Sequence, residues 1–132
     1  MESDARNVLG GPLESCSTDP LTGWYRDGCC GWGPDDRGYH SICGVMTKEF
    51  LAHQRSIGND LVTPMPQYGF PGLQPGDRWC VTAPNWLRAH ADGAACPVVL
   101  ASTNVRTLDV VALDVLQRYA VDVPDSPVAL EP

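Results

Sequence analysis

Between Cys16 and Cys43 the chain concentrates its soft donors: Cys16, Cys29, Cys30, His40 and Cys43. One chemistry they suggest is metal binding. Zinc takes four N or S ligands in a tetrahedron, and His40-x-x-Cys43 would supply two of them, with Cys16 and Cys30 completing the shell around a zinc or iron ion. The spacing departs from the paired knuckles of structural zinc sites, because Cys29 and Cys30 are adjacent and Cys16 stands alone. A second chemistry is nucleophilic. Cys30 follows Arg26-Asp27-Gly28 in a Gly-rich turn, where backbone N–H groups, the Arg26 guanidinium and His40 could hold a thiolate, so Cys30, His40, Cys43 and Arg26 form the candidate catalytic set. The plain alternative is packing: free Cys is among the most buried residue types, and Arg26 with Asp27 would pair at the surface. A disulfide between the neighbours Cys29 and Cys30 would be strained.

Around this set stand Asp36, Asp60, Asp77, Arg78, Trp79 and Cys80 as candidate binding residues. Asp60 and Asp77 follow Asn and Gly, and Asp36 lies within two residues of Pro34 and Gly38, settings where carboxylates commonly serve turns, while Asp77-Arg78 just before a strand would form a pocket edge. Trp24, Tyr25, Trp32, Tyr39, Tyr68, Phe70 and Trp79 would wall a pocket for a small molecule or pack an irregular segment. His53 and His90 read as surface or core-margin residues. Phosphate loops, dinucleotide fingerprints, nucleophile elbows and His-Glu-x-x-His helices are absent from the sequence, so no nucleotide cofactor is expected.

Joint action of Cys30, His40 and Cys43 requires the turn Gly28 to Gly31 to fold back onto Ser41. The intervening Gly31, Gly33, Pro34 and Gly38 permit that reversal. On a strand, His40 and Cys43 would point to opposite faces, so His40 must lie in the turn before the strand begins.

The elements expected to position these groups are short. Thr47 caps a helix over 48–57 that Gly58 stops; a second helix runs from Pro84 to Gly93 and a third from Ala112 to Ala120. Strands are expected at Ser41–Met46, Trp79–Ala83, Val98–Ser102 and Thr107–Val111, the last two as a hairpin about Thr103–Arg106. The pattern predicts an α+β fold: a small single domain over 7–121 with a short mixed or antiparallel sheet, about three short helices and a long, ordered, Gly/Pro-rich N-terminal segment. Residues 1–6 and 122–132 read as flexible tails.

Bulk composition narrows the partners. A hydrophobic fraction of 43% against 19% charged residues suits a folded core. The net charge of −7, with no Lys/Arg cluster, argues against nucleic acid and anionic membranes. The acidic start Met1-Glu2-Ser3-Asp4 does not read as a secretory signal, so a cytoplasmic setting is expected, in which cysteines act as thiols, ligands or reactive groups rather than disulfides.

Several longer stretches carry a family resemblance. Asn7-Val8-Leu9-Gly10 through Cys16, Gly23-Trp24-Tyr25-Arg26-Asp27-Gly28-Cys29-Cys30, His40-Ser41-Ile42-Cys43 and Gly58-Asn59-Asp60-Leu61 through Trp79-Cys80 together resemble the bacterial domain of unknown function 2237. The resemblance spans residues 7 to 121. Members typically read Trp-Cys-Leu-Cys where this chain has Trp79-Cys80-Val81-Thr82. The family implies no agreed activity, cofactor or catalytic residue. Three functions stay open: an enzyme acting on a small molecule through the cysteine/histidine site, a metal- or ligand-binding module, and a structural domain with packed cysteines.

Overall fold

The computed structural model describes residues 5–122, and its first regular element begins only at Ile42. Two four-residue strands, β1 (Ile42–Val45) and β2 (Arg78–Val81), pair antiparallel with Ile42 opposite Val81, Cys43 opposite Cys80 and Gly44 opposite Trp79. Because side chains alternate along a strand, this ladder has two distinct faces. Ile42, Trp79 and Val81 enter an apolar core with Phe50, Trp86 and Leu116. Cys43 and Cys80 join Cys16, Cys30 and Val99 in a second cluster. Gly44 lies where the core is tightest: a Cβ there would sit 2.6 Å from Cys96 Sγ.

Three helices cover the apolar face. In α1 (Lys48–Ser56), Thr47 Oγ1 accepts from Phe50 N at 3.0 Å, and the helix buries Phe50, Leu51 and Gln54. In α2 (Ala83–Ala91), Pro84 sits in the first turn, where its missing N–H costs nothing. Its Trp86 is wholly buried, donates from Nε1 to Cys96 O at 3.0 Å and packs edge-on against Tyr119. The short α3 (Leu113–Gln117) contributes Leu116. The protein is thus a small single domain of the α+β class, with a two-stranded antiparallel sheet and three helices.

The expected third and fourth strands are not formed. Val98 makes single bridges to Gly44 and Ala120, while Leu100–Ser102 closes into a 3-10 turn whose Leu100 and Ala101 N–H groups are taken by the Asp122 carboxylate. Pro97, lacking an N–H, shortens any ladder there. The expected hairpin partner is instead a 3-10 helix, Val105–Asp109, because the Asn104 side chain accepts from Arg106 N and caps it. Helix α3 ends at Gln117, and beyond it the chain pairs with Val98, Tyr119 O accepting from Val98 N and Val121 N donating to Val98 O.

Residues 5–41 hold turns and isolated bridges rather than helices or strands. Polar pairing fixes them: the buried Asn7 donates to Pro12 O and Ala101 O and accepts from Leu9 N and Gly11 N. Arg6 and Asp122, assigned to the tails from sequence, both bond into the domain. Ala5, also assigned to a tail, accepts from Leu13 N, and the other tail residues, 1–4 and 123–132, lie outside the described range.

Candidate functional site

Two disulfides, Cys16–Cys43 and Cys30–Cys80, anchor the N-terminal segment to the ladder. They meet because Cys43 and Cys80 are cross-strand partners on one face, so each strand offers one sulfur at the same height. The turn after Gly28 therefore does fold back on the sheet. This differs from the reading of the cysteines as thiols, and Cys30 bonds to Cys80 rather than to its neighbour Cys29. Fully buried and disulfide-bonded, Cys30 and Cys43 present no thiolate in this state, so neither can be the attacking nucleophile as it stands. The Sγ atoms of Cys16, Cys30 and Cys80 lie within 4.8 Å of one another, a group that could hold a metal once the disulfides are reduced. His40, expected among the ligands, does not belong to that group; Cys80 takes its place.

His40 lies in the loop before β1, as its parity with Cys43 requires, and finds a carboxylate. Its Nδ1 meets Asp36 Oδ1 at 2.7 Å and its backbone N donates to Asp36 Oδ2 at 2.8 Å. Asp36 is buried and His40 about one-third exposed. An ionised carboxylate offers only acceptors, so Nδ1 donates to it, and in the neutral imidazole Nε2 then carries the lone pair. Trp24 stacks on the imidazole with centroids 5.1 Å apart. Beside the ring lies a cleft of about 50 Å³ lined by His40, Asn59, Trp79, Cys80 and Thr82. That is room for a water or one small reacting group.

Thr82 is the group sequence reasoning passed over. It occupies the N-cap position of α2 yet makes no capping bond, and its hydroxyl is buried without a partner among the described residues. Both the His40 ring and the Thr82 methyl lie 3.3 Å from where a Gly38 Cβ would be, so any larger residue at 38 would crowd the cleft. The available signal was Pro84, which marks a helix start and so places Thr82 before it.

Backbone strain gathers at the same place. Arg26 and Tyr39 are left-handed non-glycine residues, with φ of 55° and 54°; each such conformation costs on the order of 1–3 kcal/mol and is commonly retained at functional sites. The Arg26 guanidinium sits 5.1 Å from the centre of the Trp79 ring, and Tyr39 O accepts from Ala83 N, tying the His40 loop to the start of α2.

The structure thus places His40, Trp79 and Cys80 around one cleft, with Asp36 bonded to His40 and Arg26 over the Trp79 ring. Asp60, Asp77 and Arg78 serve elsewhere. Asp60 accepts from Val62 N, Thr63 N and Thr63 Oγ1, and the Thr63 hydroxyl above all holds its carboxyl down to about 2. Asp77 accepts from Gln74 N in the turn before β2, and Arg78 is exposed at its start. Next to the dyad, Asp35 accepts from Trp24 Nε1 and Tyr25 OH; these bonds lower the Asp35 carboxyl and raise the Tyr25 hydroxyl. A cavity of about 560 Å³ along α1, lined by Lys48, Leu51, Arg55, Val62, Leu73 and Pro75, contains no His, Cys or carboxylate.

Fold and site together define a small α+β domain, cross-linked through one sheet face, with a carboxylate-held histidine at the edge of that sheet. The chain belongs to the family of uncharacterized proteins conserved in bacteria designated DUF2237, whose model matches residues 6–120. A search of curated proteins found no match. Among the described residues no helix is long and apolar enough to cross a membrane.

Proposed function

We propose that the protein is an enzyme acting on a small molecule, with His40 as general acid/base and Asp36 as the residue that orients it. The observation that carries this reading is the buried Asp36 carboxylate holding His40 through both Nδ1 and the backbone N, which leaves Nε2 unused by that pair on a ring that lines the cleft. Such a pair fixes the tautomer and would stabilise the imidazolium formed on proton uptake. The Thr82 hydroxyl, without a partner among the described residues, supports the reading, since a substrate group or water would complete its hydrogen bonding. The test is to incubate the purified protein with a metabolite extract and follow consumption by mass spectrometry. A compound consumed by the wild type should be consumed roughly 10²–10⁴-fold more slowly by His40→Gln and measurably more slowly by Asp36→Asn. Equal turnover by His40→Gln with an unchanged melting temperature would remove His40 from the chemistry.

One observation favours a second reading: the close approach of three cysteine sulfurs, with Cys43 as the natural fourth. In a reducing, cytoplasmic setting, two equivalents of a dithiol reductant would convert both disulfides into four thiols. Their thiolates would hold zinc, or iron, releasing the protons. Protein purified without a chelator under reducing conditions would then carry about one metal per chain, lost in Cys80→Ser. Metal-free reduced protein would exclude this reading and leave the first intact.

A further inference from the structure

A second cavity, separate from the His40 cleft, has walls that call for an anion. It measures about 330 Å³ and is lined by Arg6, Tyr25, Asp27, Trp32, Asn104 and Arg106, a volume within the range that small-molecule sites occupy. The Trp32 indole Nε1 is buried without an acceptor among the described residues. Leaving such a donor unpaired is unfavourable, and an incoming oxygen would relieve it. The Arg106 guanidinium lies 4.1 Å over the Trp32 ring and gives one nitrogen to Asp109 at 3.1 Å, which leaves further N–H groups available. Arg6 has no carboxylate within ion-pair distance among the described residues. Its backbone is already fixed, since Val105 N donates to Arg6 O at 2.8 Å and Arg6 bridges Pro12.

We propose that this cavity binds a small monoanionic organic carboxylate, its oxygens on the Trp32 indole N–H and the two guanidinium groups and its apolar body against the Tyr25 ring. Arg106 is already paired with Asp109 and Asp27 also lines the cavity, so the walls carry no large positive excess, which suits a monoanionic carboxylate better than a dianionic phosphate. A planar guanidinium suits a planar carboxylate. The Tyr25 ring is fixed for the purpose because its hydroxyl donates to Asp35 at 2.8 Å.

The probes are benzoate, its neutral analogue benzamide and inorganic phosphate, titrated calorimetrically into the oxidised full chain. Benzoate should bind once per chain and at least about 10-fold more tightly than benzamide, as the loss of a charge-assisted bond implies. Trp32→Phe, which keeps the ring and removes the N–H, and Arg106→Gln should each weaken benzoate by about the same factor. His40→Gln should bind as the wild type does, which separates this site from the proposed catalytic cleft. The proposal is overturned if benzoate fails to bind or binds no better than benzamide. Tighter binding of phosphate, or unchanged benzoate affinity in both Trp32→Phe and Arg106→Gln at wild-type melting temperature, would overturn it equally.

Discussion

The two faces of one short ladder are held by different physics. On one side Ile42, Trp79 and Val81 meet helices, and burial of large side chains such as Trp86 and Phe50 stabilises the contact. On the other, Cys43 and Cys80 meet a segment without helices or strands, and two covalent bonds do the holding. The difference follows from what each partner can offer. A helix presents a continuous apolar stripe. Residues 5–41 present Gly, Pro and polar turns, whose contact area is too broken to offset their ordering entropy by burial alone. Arg26 lies four residues before Cys30, so the Cys30–Cys80 link helps fix the turn that holds its strained backbone.

The contrast breaks first on the helical face. Trp86→Ala should destabilise the domain by about 3–5 kcal/mol, through the cavity it leaves and the lost bond to Cys96 O. Urea unfolding followed by circular dichroism measures this, and the loss should be the same with or without reductant.

On the other face the effect should depend on redox state. Replacing Cys30 and Cys80 together by Ala removes a link across 50 residues, and replacing Cys16 and Cys43 removes one across 27. Chain-entropy arguments put each loss at roughly 3–4 kcal/mol under oxidising conditions. Urea midpoints compared with and without a phosphine reductant test this. The gap between wild type and the double variants should close when the wild type is reduced, and a gap that survives reduction would mean that packing, not cross-linking, holds this face.

The same division explains what could be read from sequence. The capped and stopped helix after Thr47, the Pro84 start and the two strands containing Cys43 and Cys80 are written in local residue chemistry, and they appear with boundary shifts of one or two residues. Disulfide connectivity is not local: it depends on the register that sets Cys43 opposite Cys80, and six cysteines admit too many pairings for spacing to choose. Val98–Ser102 misled because its Val and Leu residues favour a strand, whereas Asp122, distant in sequence, takes the N–H groups a ladder would need. His40 and Asp36 were both nominated separately; only the turn at Tyr39 reveals them as a pair.

A smaller effect probes whether the first helix depends on local signals or on the core beneath it. Thr47→Ala removes the acceptor for Phe50 N and should cost about 1 kcal/mol, read as a lower urea midpoint with the slope unchanged. A loss several times larger would show that the cap also fixes how β1 enters the helix.

The smallest effect lies in the loop after α1 and concerns pH. Asp60 is fully exposed, yet hydrogen bonds from Thr63 and from the Val62 and Thr63 backbone lower its carboxyl from 3.8 to about 2. A group with a depressed folded-state value stabilises the fold above its unfolded value, and that contribution is lost as pH falls through the folded value. The contribution should therefore be complete at pH 5, shrink as pH drops below 4 and be largely gone near pH 2. Asp60→Asn cannot ionise and lacks this dependence. Melting temperatures of wild type and Asp60→Asn should therefore differ most at pH 5 and converge near pH 2. A difference that stays constant across that window would show that Asp60 acts through the shape of its turn rather than its charge, and would leave the acid sensitivity of this loop to other groups.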